Sequence, residues 1–198
     1  DNSCKIDPEK QEICLDGEIL GGKRRCVVML NKPAGFVTAT EDPVERTVME
    51  LLPADMKHLD LKPVGRLDKA TEGLLLFTND GEFANRLMHP RHEVQKRYRV
   101  WVSGFSEENL KLLERPIELD GYRIRKPDVK CQKRTGDKAL LQITIHEGRN
   151  RQIRRMCAIA GMEVQRLKRI REGSLSLGQL PLGKWRYLTK EEVKALRG

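Results

Sequence analysis

Hydrophobic and polar positions along the chain form short runs that predict strands and helices in alternation. Six segments are continuously apolar or alternate with the period of two that is typical of strands. They are 26–31 (CVVMLN), 36–40 (FVTAT), 74–78 (LLLFT), 97–103 (RYRVWVS), 128–132 (DVKCQ) and 139–147 (ALLQITIHE). The Thr-Gly-Asp sequence at 135–137 predicts a turn between the last two strands.

Helix signals lie between these strands. Five segments predict helices: a short one at 47–52 before Pro53, 80–88 capped by Asp80, 106–113 capped by Ser106, 149–160, and one opened by the capping box Thr189-Lys-Glu-Glu192. In 149–160 the residues Ile153, Met156, Cys157 and Ala160 form one apolar stripe, and Gly161 is a suitable C-terminal cap. Strands that follow strands, with helices inserted singly, predict an α+β fold around a largely antiparallel sheet.

The first residues have a different character. Residues 1–23 are polar, and the alternation in 12–19 with Asp16-Gly17 predicts a hairpin at the edge of a domain. Because the chain begins at Asp1 without a methionine, we expect it to be a piece of a longer or processed protein.

Composition narrows the class of protein. With 198 residues, 38% hydrophobic and 34% charged, the chain predicts one folded domain with a real core. No apolar run approaches the roughly 20 residues of a membrane helix, and no secretory signal is visible, so we expect a cytoplasmic protein. The five cysteines are scattered without CxxC, and His89 and His92 lack a second ligand pair. We therefore expect reduced cysteines and no metal site.

The distribution of charge indicates a partner. The formal charge is +9, and 148–171 contains eight Lys or Arg residues and one acid, Glu163. Concentrated positive charge favours a polyanion such as nucleic acid, because each neutralised phosphate releases counterions. A solvated basic surface is the alternative.

Three segments have residues that could carry chemistry. In 65–77 (GRLDKATEGLLLF) the carboxylate of Asp68 stands before a buried strand, where it is either catalytic or caps a turn. In 147–156 (EGRNRQIRRM) four arginines at a helix start either bind anions or form solvated surface. In 96–100 (KRYRV) Tyr98 either stacks on a nucleobase or fills space.

Together with NKPAG at 31–35 and NDGEFANRLMHP at 79–90, these segments closely resemble the pseudouridine synthase superfamily, and within it the RsuA-like branch that modifies ribosomal RNA. The resemblance runs from Cys26 to the C-terminus, and Arg151 stands where other branches commonly have histidine. It implies the pseudouridine synthase fold, with a mixed, largely antiparallel central sheet flanked by helices. It also implies a catalytic domain at 24–198, preceded at 1–23 by the remnant and linker of an S4-type RNA-binding domain.

The resemblance assigns roles to individual residues. Asp68 is implied as the essential carboxylate, Arg154 as its counter-charge, and Tyr98 as a residue that stacks on the flipped base and helps to remove the C5 proton. Ile153 is implied to pack against the uracil, and Arg66 to occupy the space that the uridine vacates. The remaining candidates for substrate binding are Lys32, Arg149, Arg151 and Arg155.

The implied reaction isomerises specific uridines of ribosomal RNA to pseudouridine after base flipping. Nothing is oxidised and no group is imported, so no cofactor, nucleotide or metal is expected. The form of the motifs favours large-subunit over small-subunit rRNA. The alternative is a non-catalytic RNA-binding or ribosome-assembly factor on the same fold, which would not require Asp68, Tyr98 and Arg154 together. The absence of a heptad seam favours a monomer.

Overall fold

The computed structural model describes residues 19–20 and 23–198, and the predicted hairpin at 12–19 lies mostly outside them. Two units are present. The first comprises the described residues up to His92 together with Ser174–Gly198, and the second comprises Glu93–Gly173. A short antiparallel pair, β1 (Ile19–Leu20) with β2 (Lys23–Arg24), lies at the beginning of the first unit.

The first unit is built on a buried antiparallel group of strands. β3 (Val27–Lys32) lies between β5 (Glu72–Thr78) and β13 (Trp185–Tyr187), and β4 (Lys62–Val64) also pairs with β5. Every residue of β3 and β5 is buried, as the continuous apolar runs predict. Their inward side chains pack with residues from two 3-10 helices, Val48–Leu51 and Ala54–Leu59. The first of these confirms the short helix predicted before Pro53.

Two α-helices of the first unit begin at the predicted caps. The Asp80 carboxylate accepts hydrogen bonds from the backbone N–H groups of Glu82 and Phe83 at the start of α1 (Gly81–Met88). Thr189 and Glu192 form the predicted capping box of α4 (Lys190–Arg197). A short strand, β12 (Leu175–Ser176), lies earlier in the same C-terminal part of the chain.

The segment 36–40, predicted to be extended, is not a strand. Its only pairing is an isolated bridge between Val37 and Thr47. The Thr38 hydroxyl instead bonds to the backbone of Leu67, as donor to the carbonyl at 2.8 Å and as acceptor from the N–H at 3.2 Å. These bonds join residues that are distant in sequence, and they tie two loops together.

The second unit contains a four-stranded antiparallel sheet in the order β11-β6-β10-β9. Its strands are β6 (Lys96–Ser103), β9 (Asp128–Thr135), β10 (Lys138–Ile145) and β11 (Glu163–Glu172). The unit also holds α2 (Glu107–Leu113), capped by Ser106 as predicted, and the hairpin of β7 (Glu118–Leu119) and β8 (Tyr122–Arg123). The predicted turn at 135–137 lies between β9 and β10.

The helix α3 (Gln152–Ile159) covers one face of this sheet. The predicted stripe of Ile153, Met156, Cys157 and Ala160 is buried in a core that also contains Val100 and its neighbours on the sheet. The helix begins later than predicted, because Arg151 has a left-handed backbone with φ 49° and serves as its N-cap. Gly161 follows the last turn with φ 82°, as the sequence predicts.

The fold class is the predicted one, an α+β arrangement with a largely antiparallel sheet and several helices. Among the described residues, no helix has the length and apolar character needed to cross a membrane.

Candidate active-site residues

Asp68 lies in a loop between β4 and β5, which we call the Asp68 loop and define as residues 65–71. The residue is half-buried, and the backbone N–H of Thr71 donates to the Asp68 carbonyl at 2.9 Å, which closes the turn. On the other side, the double hydrogen bond with Thr38 fixes Leu67. The backbone of Asp68 is therefore held from both directions.

Lys32, at the end of β3, holds this loop in place through hydrogen bonds. Its side chain is fully buried, and Nζ donates to four backbone carbonyls: Pro33 at 3.1 Å, Asp68 at 3.1 Å, Lys69 at 3.2 Å and Thr71 at 2.7 Å. Burial lowers the pKa of the Lys32 ammonium to about 8, while the nearby carboxylates of Asp68 and Glu72 oppose that shift.

This environment differs from the predicted role of Lys32 in binding substrate directly. An ammonium that is enclosed by protein and directed at main-chain carbonyls offers no surface to RNA. Its contacts favour a positioning role, in which one cation gathers the carbonyls of the loop that carries Asp68. The sequence indicates only a lysine before proline, and its depth in the fold depends on tertiary packing.

Arg66 is exposed on the same loop, two residues before Asp68. An ion pair with a neighbouring carboxylate is the alternative role for this residue, and within the described part of the chain Arg66 forms none. An exposed guanidinium beside the candidate carboxylate is available for contact with RNA.

Tyr98 lies on the central strand β6, between Arg169 of β11 and Ile143 of β10. It is 8% exposed, and the fully buried guanidinium of Arg169 donates a hydrogen bond to it. Arg169 also lies 3.6 Å from the buried carboxylate of Glu172. Sequence reasoning grouped Arg169 with phosphate-binding cations, whereas the structure turns it inward to hold Tyr98.

Two predicted residues are adjacent on α3. Ile153 is 3% exposed and belongs to the core, so its contact with uracil stays a prediction. Arg154 is partly buried, close enough to the Cys157 thiol for its charge to act on it. Burial nevertheless dominates at Cys157 and raises the pKa of this thiol to about 12, which makes it an inert core residue.

The arginines that precede and begin α3 have different surroundings. Arg155 forms a two-pronged ion pair with Asp120, at 2.9 and 2.8 Å, and holds the pKa of that carboxyl below its usual value. The guanidinium of Arg149 lies over the ring of Tyr122, 3.7 Å from its centroid. Arg151 is exposed at the N-cap. Asp120 and Tyr122 belong to the β7–β8 hairpin, which sequence reasoning did not identify although Asp120-Gly121 is a turn signal.

The predicted residues therefore form two groups, one in each unit. The first unit brings together Lys32, Arg66 and Asp68. The second unit places Tyr98 on its sheet and gathers five residues in and just before α3: Arg149, Arg151, Ile153, Arg154 and Arg155.

Comparisons with known proteins identify the family of the chain. Residues 26–159 match the family described as RNA pseudouridylate synthase. An uncharacterized RNA pseudouridine synthase of Aquifex aeolicus (strain VF5) is 41% identical over 196 residues, which cover 97% of this chain and 78% of that protein. Ribosomal large subunit pseudouridine synthase B of Bacillus subtilis (strain 168) is 44% identical over 172 residues, covering 85% and 70%. A crystal structure of a pseudouridylate synthase superposes with a TM-score of 0.79 at 30% identity, covering 90% and 76%.

The chain belongs to the RNA pseudouridylate synthase family. It is accordingly an RNA-modifying isomerase, as the motifs predict.

Proposed function

We propose that this chain isomerises specific uridines of ribosomal RNA to pseudouridine, with large-subunit rRNA as its substrate and Asp68 as the essential carboxylate. The observation that carries the proposal is the Asp68 loop, whose backbone is fixed by the buried Lys32 ammonium and by Thr38. The relative from Bacillus subtilis, named for the large ribosomal subunit, supports the choice of substrate.

The reaction breaks the N-glycosidic bond, rotates the uracil, and joins C5 of the base to the ribose. Asp68 acts either as a nucleophile or as a base that removes a ribose proton, and both roles require an ionised carboxylate at a fixed position. A fixed loop supplies that position, because small displacements of a reacting group are costly.

The target base must first leave the RNA stack, at a cost of a few kcal/mol. In the proposed mechanism, Arg66 occupies the vacated space, and its exposed position suits that role. Tyr98 stacks on the flipped base and assists removal of the C5 proton, Ile153 packs against the uracil, and Arg154 provides the counter-charge of Asp68. The hydrogen bond from Arg169 gives the Tyr98 ring a defined orientation.

Tritium release from rRNA labelled at uridine C5 tests the proposal, because the reaction exchanges that hydrogen. Wild-type protein should release tritium from large-subunit rRNA, and Asp68→Asn should release none above background while keeping its fold. Asp55→Asn, at an exposed position of the same unit, is the matched control and should retain full activity. Residual Asp68→Asn activity within about tenfold of wild type would refute Asp68 as the essential carboxylate. Tritium release only from small-subunit rRNA would refute large-subunit rRNA as the substrate.

Three further features belong to this proposal. Residues 1–23 are a remnant and linker of an S4-type RNA-binding domain that precedes the catalytic domain at 24–198. Ribosomal RNA as substrate places the enzyme in the cytoplasm, and it acts as a monomer. Cell fractionation and sedimentation test the last two features, and RNA binding with the S4 module attached tests the first, since a tethered second site should tighten binding.

A further inference from the structure

The sheet of the second unit has one face that α3 does not cover. Alternation along β6 directs Tyr98 and Val100 into the core with α3. Arg97, Arg99 and Trp101 therefore lie on the opposite face of the same strand.

Cations from neighbouring strands extend this face. Arg99 lies opposite Lys168 of β11 and Gln142 of β10, and Gln142 lies opposite Lys130 of β9. Directly opposed residues share a face of a sheet. Because neighbouring strands are about 4.8 Å apart, this row spans about 14 Å with a cation at each end.

The adjacent row contains the aromatic residue of this face. Trp101 lies opposite Arg166 of β11, whose guanidinium is 4.5 Å from the centroid of the indole ring. Successive rows on one face are about 6.8 Å apart along the strands. Arg97 lies in the row on the other side of Arg99. We call the five cations of this face and Trp101 the outer sheet face: Arg97, Arg99, Trp101, Lys130, Arg166 and Lys168.

The outer sheet face is accessible and carries five cations. Arg99, Lys130 and Arg166 are exposed, and the other three members are partly buried. Sheets that bind unpaired RNA combine cations for the phosphates with an aromatic ring or an arginine plane on which a base stacks. The Arg166–Trp101 stack, flanked by cations at this spacing, has both elements.

We propose that the outer sheet face binds a single-stranded stretch of the RNA substrate that is distinct from the reacting uridine. Tyr98, the residue proposed to contact that uridine, lies on the other face of β6. This inference rests on the proposed function, because RNA as substrate is what makes RNA the expected partner of these cations.

Binding of a short fluorescent oligouridine, measured by anisotropy over a range of salt concentrations, tests the inference. The double variant Arg99→Gln/Arg166→Gln should lower the slope of log affinity against log salt by about 1.4, since each phosphate contact on single strands contributes about 0.7. The matched control is Lys111→Gln/Lys194→Gln, which removes two exposed cations from α2 and α4. It should leave the slope within error of wild type.

Two additional variants separate RNA contact from loss of structure. Arg99→Lys/Arg166→Lys keeps both charges and should restore the wild-type slope. Trp101→Leu should weaken binding about tenfold at all salt concentrations, as expected for the loss of one base–aromatic stack. Thermal denaturation of every variant establishes that the fold is kept.

The results distinguish this inference from the proposed function. The outer sheet face is not an RNA contact if Arg99→Gln/Arg166→Gln has the same slope as the control variant. It is likewise ruled out if Arg99→Lys/Arg166→Lys lowers the slope as much as Arg99→Gln/Arg166→Gln does. Tritium release by the same wild-type preparation is scored separately. Absence of tritium release refutes the enzyme proposal. The salt slopes of oligouridine binding show whether the outer sheet face contacts RNA, and they do so whether or not tritium is released.

Discussion

The Lys32 ammonium is enclosed by protein and by four main-chain carbonyl oxygens, so a single cation is the central tie of the Asp68 loop. Hydrogen bonds from charged donors are stronger than neutral ones, and buried carbonyls that lose their donor are costly. The position of the candidate catalytic carboxylate therefore depends on a fully buried residue.

Replacing Lys32 with Met keeps the length of the side chain but removes its donors. We expect the free energy of unfolding to fall by about 3 kcal/mol, because buried carbonyls lose their partners. Single-turnover tritium release at saturating RNA should fall by about 100-fold, as expected for a displaced reacting group. The exposed Lys57→Met serves as the control and should change neither. A Lys32→Met protein that unfolds more easily but keeps its rate would show that Lys32 stabilises the fold without positioning Asp68.

The lowered pKa of Lys32 also predicts how stability depends on pH. The folded state releases the proton near pH 8, whereas an unfolded chain keeps it until about 10.5. Between these values the unfolded state binds more protons, so rising pH favours the folded state, by at most about 1.4 kcal/mol per pH unit. The stability of wild type relative to Lys32→Met should therefore increase between pH 8 and pH 10, as measured by chemical denaturation. A constant or decreasing difference would contradict this assignment.

At the scale of elements, the β7–β8 hairpin holds two arginines that the sequence assigns to phosphate. Asp120 pairs with Arg155, and Tyr122 lies under Arg149. A carboxylate bound to both prongs of a guanidinium occupies the geometry that a phosphate would use. If Arg155 binds phosphate as predicted, the hairpin competes with RNA for it.

Asp120→Asn should release Arg155 for RNA. We expect tighter oligouridine binding at low salt and a salt slope that is steeper by about 0.7, the contribution of one additional phosphate contact. Glu118→Gln, at an exposed position of the same hairpin, removes one negative charge as the control. If Asp120→Asn instead weakens binding, the Arg155–Asp120 ion pair serves to hold the hairpin, and Arg155 does not bind phosphate.

The sequence correctly predicted those elements that are determined by residues close together in the chain. Asp80, Ser106 and Thr189 begin helices as their capping chemistry predicts, and the stripe on α3 is buried. The strand β11 was not recognised, because β-bulges near 164–166 and 169–171 break its alternation and its cations resemble a solvated run. The two-residue strands β7 and β8 are too short to have a period. The inward turn of Arg169 and the burial of Lys32 depend on partners distant in sequence, which no local pattern reveals.

At the scale of the whole molecule, the formal charge of +9 is divided among different tasks. Lys32 and Arg169 are buried and hold groups in place, Arg155 is bound to a carboxylate, and three of the five cations of the outer sheet face are exposed. The number of cations available to phosphate is therefore smaller than the 38 Lys and Arg residues of the chain, and the net charge does not give it. The change that each variant causes in the slope of log affinity against log salt measures directly how many residues contact phosphate.

The proposed function assigns Arg154 as the counter-charge of Asp68. If Arg154 acts as the counter-charge of Asp68, their effects on the rate should not add, because residues that act together are strongly non-additive. Asp68→Glu and Arg154→Lys keep the charges and should leave measurable single-turnover rates. We expect the double variant to be little slower than the slower single one. The control Arg115→Lys, at an exposed position of the second unit, should combine additively with Asp68→Glu. Full additivity with Arg154→Lys would instead assign Arg154 to phosphate binding.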